Sequence, residues 1–164
     1  MLQFDVDVSR PSGEEAFAKG GAGTIFSGWL INPYLIQKFG GAEVAMKLSS
    51  SSSAGGGGMD KAADKFELAL ISSLQSCENI VRLVGYVEEQ RDATWLVMKK
   101  YPCSLYDLLK RNNQQPLGIG AKALIARDIS NGLKHIHQMN IIHLDIKPRK
   151  TLHELFLKTS MLLF

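Results

Sequence analysis

Cysteine is scarce in this chain of 164 residues, which contains only Cys77 and Cys103. Neither belongs to a CxxC pair or to a Cys/His cluster, so the sequence predicts no disulfide framework and no zinc site built on cysteine. His135 and His137 lie near each other but no third ligand accompanies them, and we expect no metal there. Free thiols are typical of a reducing compartment, which favours a cytoplasmic protein.

Long apolar runs and a strong charge are also missing. No stretch is long enough to span a bilayer, and the N-terminus lacks a cationic segment followed by an apolar run, so we expect no membrane span and no signal peptide. The net charge of +3 is small and spread along the chain, which does not favour a nucleic-acid partner. The length and the hydrophobic content of 45% fit one globular domain or less.

One stretch near the C-terminus places three ionisable side chains at alternating positions. His143, Asp145 and Lys147 follow the apolar pair Ile141-Ile142, and Pro148 stiffens the exit. A buried strand or helix would not favour this pattern, because each buried charge needs a partner. A catalytic loop would favour it, while an ordinary surface turn is the alternative that the stretch alone leaves open.

A glycine-rich stretch lies near the N-terminus, at residues 18–28. Glycine permits a tight turn and lets backbone N–H groups approach a phosphate closely. The flanking Phe17 and Ile25-Phe26 predict two strands joined by that turn. Most glycine-rich turns are simple hairpins, so this feature gains meaning only from its neighbours.

The next predicted strand covers residues 44–48. Alternation places Val44 and Met46 on one face and Ala45 and Lys47 on the other. A lysine on a strand usually faces solvent, so a buried role for Lys47 depends on the rest of the chain.

Composition and spacing predict three segments around this strand. Residues 32–41, which precede it, are rich in turn residues and predict a loop. Residues 49–58 contain serine, glycine and one alanine, which predicts a flexible linker. Residues 60–73 follow helical spacing, with Asp60 as the N-cap. Glu67 is the central acid of this helix, and a solvated glutamate is the alternative to a functional one.

The remainder of the chain predicts a strand followed by helices. Residues 94–98 form a short apolar strand, and residues 104–110 a helix with Ser104 as its N-cap. A turn at residues 114–120 leads to a longer helix at residues 121–138. That helix carries one apolar stripe, made of Leu124, Ile125, Ile129, Leu133 and Ile136.

Taken in order, these motifs resemble those of the eukaryotic protein kinases. Five motifs follow the family order over residues 17–148: the glycine-rich loop, the lysine strand, the helix glutamate, the strand entry Asn79-Ile80-Val81-Arg82-Leu83 and the catalytic loop. The general look is similar to the tyrosine-kinase-like branch of serine/threonine kinases. The resemblance implies an α+β kinase-like fold: an N-lobe of antiparallel sheet with one helix, and an incomplete helical C-lobe. The implied boundaries are a partial kinase domain at 1–148 (N-lobe about 1–98, hinge 99–102, partial C-lobe 103–148) and a divergent tail at 149–164.

The resemblance implies ATP as cofactor and assigns roles residue by residue. Asp145 would accept the proton of the substrate hydroxyl, and Lys147 would contact the γ-phosphate. Lys47 would bind the α- and β-phosphates and pair with Glu67. The other implied nucleotide contacts are Ala18, Gly20, Gly23 and Ile25 in the loop, Ala45 over the adenine, Met98 as gatekeeper, and the backbone near Lys100 and Tyr101.

The sequence departs from the family pattern at several positions. Ala18 replaces the first glycine, Ala22 the aromatic at the loop tip, and Leu144 the arginine before the catalytic aspartate. Lys150 stands five residues after Asp145, where the family has a metal-binding asparagine, and a lysine repels Mg²⁺. No aspartate follows Asp145, so Mg²⁺ is a family expectation whose ligands are missing here.

Three interpretations of function therefore stay open. In the first, the chain is a serine/threonine kinase domain that transfers the γ-phosphoryl of ATP to protein hydroxyls. In the second, it is a truncated, non-catalytic module that binds nucleotide or a protein partner. In the third, it is a fragment that does not fold stably. The missing metal ligands favour the second or third. Residues 151–164 could form a short amphipathic helix in an unrelated tail. The expected partners are ATP and a protein substrate or partner, with no nucleic acid and no membrane.

Overall fold

The computed structural model describes residues 7–9, 16, 18–20, 23–48, 59–88, 94–111, 116–154 and 159–162. The chain divides into two compact units, one made of residues 1–72 and 82–100 and the other of residues 73–81 and 101–164. The predictions for Phe17, for the loop tip at Ala22 and for the serine- and glycine-rich residues 49–58 lie outside the described residues.

An antiparallel sheet dominates the first unit. Its strands are β1 (Val8–Ser9), β2 (Ala18–Gly20), β3 (Gly23–Leu30), β4 (Glu43–Leu48), β5 (Leu83–Glu88) and β6 (Thr94–Lys99). In the described part of the chain the order is β1-β3-β4-β6-β5, with β2 paired to the other end of β3. Every one of these pairs is antiparallel, as the family resemblance implied.

One face of this sheet carries the hydrophobic core of the unit. The buried cluster consists of Leu30, Leu35, Val44, Met46, Val84, Trp95 and Val97. Met46 is fully buried, and the predicted alternation along β4 is confirmed. Phe26 packs its ring edge-on against Trp95, with the ring centroids 5.4 Å apart. Burial of each large side chain here stabilises the fold by roughly 1.5–3 kcal/mol.

The loop predicted before β4 is wrong, because that segment contains the helix α1 (Pro33–Phe39). Asn32 caps it by accepting hydrogen bonds from the backbone N–H groups of Tyr34 and Leu35. Pro33 occupies the first turn, where its missing N–H costs nothing. Gly40 ends the helix in the left-handed conformation, with φ of 74°. Because Leu35 reaches the core, tertiary packing supports a helix that is only two turns long.

The helix α2 (Met59–Ser73) follows in the chain and corresponds to the predicted helix. It begins one residue before Asp60, so Asp60 lies in the first turn and not at the N-cap. Ile71 on this helix is fully buried, while Phe66 is exposed.

The second unit contains two further helices and a small sheet. Its elements are β7 (Cys103–Ser104), α3 (Leu105–Arg111), α4 (Ile119–Gln138), a 3₁₀ turn (Pro148–Lys150), β8 (Thr151–Glu154) and β9 (Thr159–Leu162). α4 begins two residues earlier than predicted, so Ile119 and Gly120 belong to the helix and not to the turn. Cys77 and Cys103 are both free thiols.

The prediction of a helix in the tail is wrong for those tail residues that the structure describes. β8 pairs with β7 on one side and with β9 on the other, both antiparallel. The helical spacing of the leucines could not reveal this, because strand pairing depends on a partner that is distant in sequence. Thr151 is buried, as suits a β-branched residue at the start of a strand. β9 also contacts α4, so this strand lies beside the helix.

Candidate functional site

The sheet face opposite the core carries the residues predicted to bind nucleotide. Directly opposed residues of an antiparallel pair share a face. The register pairs Ile25 with both Ala18 and Lys47 in one row. It pairs Ala45 with Met98 in the next row, where Met98 is buried. The fold therefore places four predicted contacts on one surface, with Ala18 at the adjoining register position.

The predicted loop glycines close the hairpin that borders this surface. Gly20 pairs with Gly23 where β2 meets β3. β2 therefore ends and β3 begins at a glycine, the residue type that lets backbone N–H groups approach an anionic ligand closely.

An ion pair lies on the same surface. The Nζ atom of Lys47 donates to Oε1 of Glu67, which α2 presents from its centre. The side chain of Lys47 is only 6% exposed, so its charge depends on this partner. The structure thus brings together two residues that lie 20 positions apart in the sequence.

A second lysine reaches this surface in a way that the sequence did not predict. The Nζ atom of Lys100 donates to Oγ of Ser27 at 3.0 Å and to Oε1 of Glu43 at 2.8 Å. Only the backbone of Lys100 had an expected role. Alternation along β3 and β4 places Ser27 and Glu43 on the predicted face, but nothing in the sequence couples them to Lys100.

The predicted catalytic loop lies in the second unit and has no regular secondary structure. Oδ2 of Asp145 accepts from Nζ of Lys147 at 2.8 Å and from Nζ of Lys150 at 3.2 Å. The backbone N–H of Asp145 donates to the carbonyl of His143. Leu144, between them, has a φ of 59°, an uncommon conformation for a residue with a branched side chain.

The two ammonium groups change the chemistry of the carboxylate. The hydrogen bond from Lys147, followed by that from Lys150, lowers the pKa of Asp145 from its ordinary value. Lys150 reaches the carboxylate because the 3₁₀ turn, closed by its N–H to the carbonyl of Lys147, folds the chain back. The sequence predicted that Lys150 repels a metal, but it did not predict this contact.

The described residues of this loop do not fit a resident Mg²⁺ ion. Among the described residues, no group of three or more His, Cys, Asp or Glu side chains could hold a metal. The one carboxylate of the loop, on Asp145, already receives two lysines. A cation approaching that oxygen would meet both positive charges.

Tyr101 is buried in the second unit. The hydrogen bonds expected from the backbone near Lys100 and Tyr101 to a nucleotide base remain predictions.

In the part of the chain that the structure describes, no helix has the length and apolar character needed to cross a membrane.

Comparisons with known proteins bear on this arrangement. A family model described as "Protein kinase domain" matches residues 31–157. The chain is 31% identical over 130 residues to the serine/threonine-protein kinase/endoribonuclease IRE1 of Oryza sativa subsp. japonica, a match that covers 70% of this chain and 14% of the relative. It is 24% identical over 139 residues to the serine/threonine-protein kinase dkf-1 of Caenorhabditis elegans, covering 85% of this chain and 18% of that protein.

A probable LRR receptor-like serine/threonine-protein kinase of Arabidopsis thaliana is 30% identical over 158 residues. That match covers 93% of this chain and 15% of the relative. The chain therefore spans less than a fifth of the length of each of these three relatives.

Proposed function

The chain belongs to the protein kinase family, and on that premise we propose that it is a nucleotide-binding kinase module that transfers little or no phosphoryl group. The observation that carries this proposal is a contrast between two lysine–acid contacts. Lys47 is paired with Glu67, as nucleotide binding in the family requires. Asp145 is occupied by two lysines, which opposes its work as a base.

The surface of the first unit suits a nucleotide. Ile25 and Ala45, which are both partly exposed, offer apolar contact to an aromatic ring, and the buried Met98 pairs with Ala45 behind them. Lys47 offers positive charge, and an ammonium group with one hydrogen bond to Glu67 retains further donors for phosphate oxygens. The ion pair holds that ammonium in place, so little reorganisation is needed when a phosphate binds.

Phosphoryl transfer is opposed at the loop of the second unit. A general base works best when its pKa lies near the operating pH, and the two lysines lower the pKa of Asp145 instead. Lys150 also puts a positive charge where the family binds a metal ion. Kinase catalysis depends on positioning and charge neutralisation, so a loop that excludes the metal loses a large share of both.

Two measurements on the purified chain test the proposal. ATP titrated in an isothermal calorimeter should bind, and Lys47→Met should abolish that binding, while Lys65→Met on the exposed side of α2 should not. Radiolabelled Mg-ATP with a generic protein substrate should give no transfer above an Asp145→Asn control. Transfer that Asp145→Asn removes, or ATP binding that Lys47→Met leaves unchanged, would contradict the proposal.

The finer assignments belong to this proposal as well. We expect a serine/threonine kinase of the tyrosine-kinase-like branch, a cytoplasmic location consistent with the free thiols of Cys77 and Cys103, and a protein as substrate or partner. The relatives support the serine/threonine class, since all three are named as serine/threonine-protein kinases. A truncated kinase domain with a divergent tail at residues 149–164 is also part of the proposal, and the family model, which matches as far as residue 157, limits how much of that tail can be divergent.

A further inference from the structure

We propose that Lys100 is a positioning residue for the base of the nucleotide, because its side chain ties the chain leaving β6 to strands β3 and β4. The inference rests on the proposed function, since it concerns how the same surface holds its ligand. The tie consists of the hydrogen bond from Nζ of Lys100 to Oγ of Ser27 and the ion pair with Glu43.

The strand register locates this tie relative to the proposed site. Ser27 lies directly opposite Ala45, and Ala45 lies directly opposite Met98. The ammonium of Lys100 is 3.0 Å from Oγ of Ser27, so it lies beside the row that would contact the base. Lys100 itself follows Met98 by two residues, at the point where β6 ends.

The two lysines mark opposite ends of the surface. Glu43, Ala45 and Lys47 alternate along β4 and therefore share a face, each about 6.6–6.8 Å from the next. Lys47 and its charge are at the phosphate end. Glu43, held by Lys100, is at the other end, with the apolar Ala45 between them. A nucleotide that places its phosphates at Lys47 would direct its base toward the tie.

The tie restrains the backbone that is expected to bind the base edge. On the other side of β6, the N–H of Lys99 donates to the carbonyl of Arg82 at 2.9 Å. The side chain of Lys100 adds a restraint from the side of β3 and β4. Exposed ion pairs contribute little to global stability, so loss of this one should change local geometry more than folding.

A comparison of two ligands separates the base end from the phosphate end. ATP and inorganic tripolyphosphate share the phosphate chain, but only ATP has a base. Lys100→Met should lower the affinity for ATP by about three- to tenfold, the effect of losing one hydrogen bond, and leave the affinity for tripolyphosphate unchanged. Lys100→Arg should retain ATP affinity, and Glu43→Gln should shift it in the same direction as Lys100→Met.

Lys99→Met is the matched control, because Lys99 pairs with Val44 on the opposite face of the sheet and its loss should change neither affinity. Calorimetric titrations of every variant, with a thermal melt of each free protein, decide the outcome. Equal loss of ATP and tripolyphosphate binding in Lys100→Met, or no loss of ATP binding, overturns the inference alone. A wild-type protein that binds neither ligand overturns the proposed function and the inference together.

Discussion

Lys147 and Lys150 donate to the same carboxylate oxygen of Asp145, at 2.8 Å and 3.2 Å. One acid therefore balances two cations, and the loop carries a net positive charge at the residue expected to act as a base. Lys150 comes from the 3₁₀ turn that directly follows the family-like stretch. A single departure from the family pattern thus places a positive charge at the position expected to bind a metal, and it also lowers the pKa of Asp145.

We predict that Lys150→Asn raises the pKa of Asp145 toward its ordinary value. Lys147 makes the largest contribution to the lowered pKa and Lys150 the next, so Lys147→Met should raise it further. Because the pKa is lowered in the folded state, the stabilisation from these contacts is present above the ordinary pKa of the carboxyl. It is lost as pH falls through the lowered pKa.

An NMR titration of the Asp145 carboxyl carbon measures this shift. Lys134→Asn on α4 is the control, because among the described residues Lys147 and Lys150 are the lysines that form ion pairs with Asp145. Equal pKa values of Asp145 in wild type and Lys150→Asn would show that the Lys150 contact has no electrostatic effect.

Gly28→Ala should destabilise the first unit. A Cβ at Gly28 would lie 2.5 Å from Sδ of Met46, which is fully buried in the core. Overpacking of this kind costs about 1–3 kcal/mol of unfolding free energy, measurable by urea denaturation. Gly41→Ala is the control, because a Cβ there meets nothing within 4 Å. Met46→Val should offset part of the cost of Gly28→Ala in a double-mutant cycle, and purely additive effects would refute the clash.

Ser104→Ala should remove the N-terminal cap of α3. Oγ of Ser104 accepts from the backbone N–H of Asp107 at 3.2 Å, and the backbone N–H of Ser104 donates to Oδ2 of Asp107 at 3.3 Å. Loss of such a reciprocal cap typically costs about 1 kcal/mol of unfolding free energy. The hydrogen bond from the Ser104 hydroxyl is also the largest cause of the lowered pKa of Asp107, so that pKa should rise in the variant.

The control for this cap is Ser130→Ala. The Ser130 hydroxyl donates to the carbonyl of Ala126 within α4, a contact that does not cap the helix. Its removal should change the unfolding free energy by no more than about 0.5 kcal/mol. A Ser104→Ala variant as stable as Ser130→Ala would argue against the capping role.

Local patterns were enough to predict the elements that carry the proposed nucleotide surface. Strict alternation around Lys47 predicted which face it occupies, and helical spacing placed Glu67 at the centre of α2. The short helix α1 was also predictable, because Asn32-Pro33 and Gly40 are start and stop signals, but the abundance of turn residues favoured a loop.

Other features depend on contacts that local sequence does not encode. The pairing of β8 with β7 joins residues about fifty positions apart, so the leucine spacing of the tail gave the wrong period. The tie from Lys100 to Ser27 spans 73 positions. The contact of Lys150 with Asp145 requires the reversal of the 3₁₀ turn, for which Pro148 was the only local signal.

We predict that the tail strands prevent self-association of the protein through α4. α4 carries an apolar stripe whose members Ile125 and Ile136 are buried, while Leu124 is 36% exposed. β9 contacts this helix and is held to β8 by antiparallel pairing. Deletion of residues 155–164 removes β9, and each large side chain that it leaves in water forgoes roughly 1.5–3 kcal/mol of burial. Contiguous apolar surface of this kind favours self-association, so we expect the deleted protein to form oligomers or aggregates.

Size-exclusion chromatography with light scattering, run over a range of concentrations, measures this association. Leu124→Ser in the full-length chain is the control: it removes an exposed member of the stripe and leaves β9 in place, so the mass should equal that of the wild type. The deletion tests the packing of β9 on α4 alone, because β8 can still pair with β7 in the shortened protein. If the shortened protein has the same concentration-independent mass and the same melting temperature as the wild type, β9 does not cover α4 in solution and the stripe does not drive association.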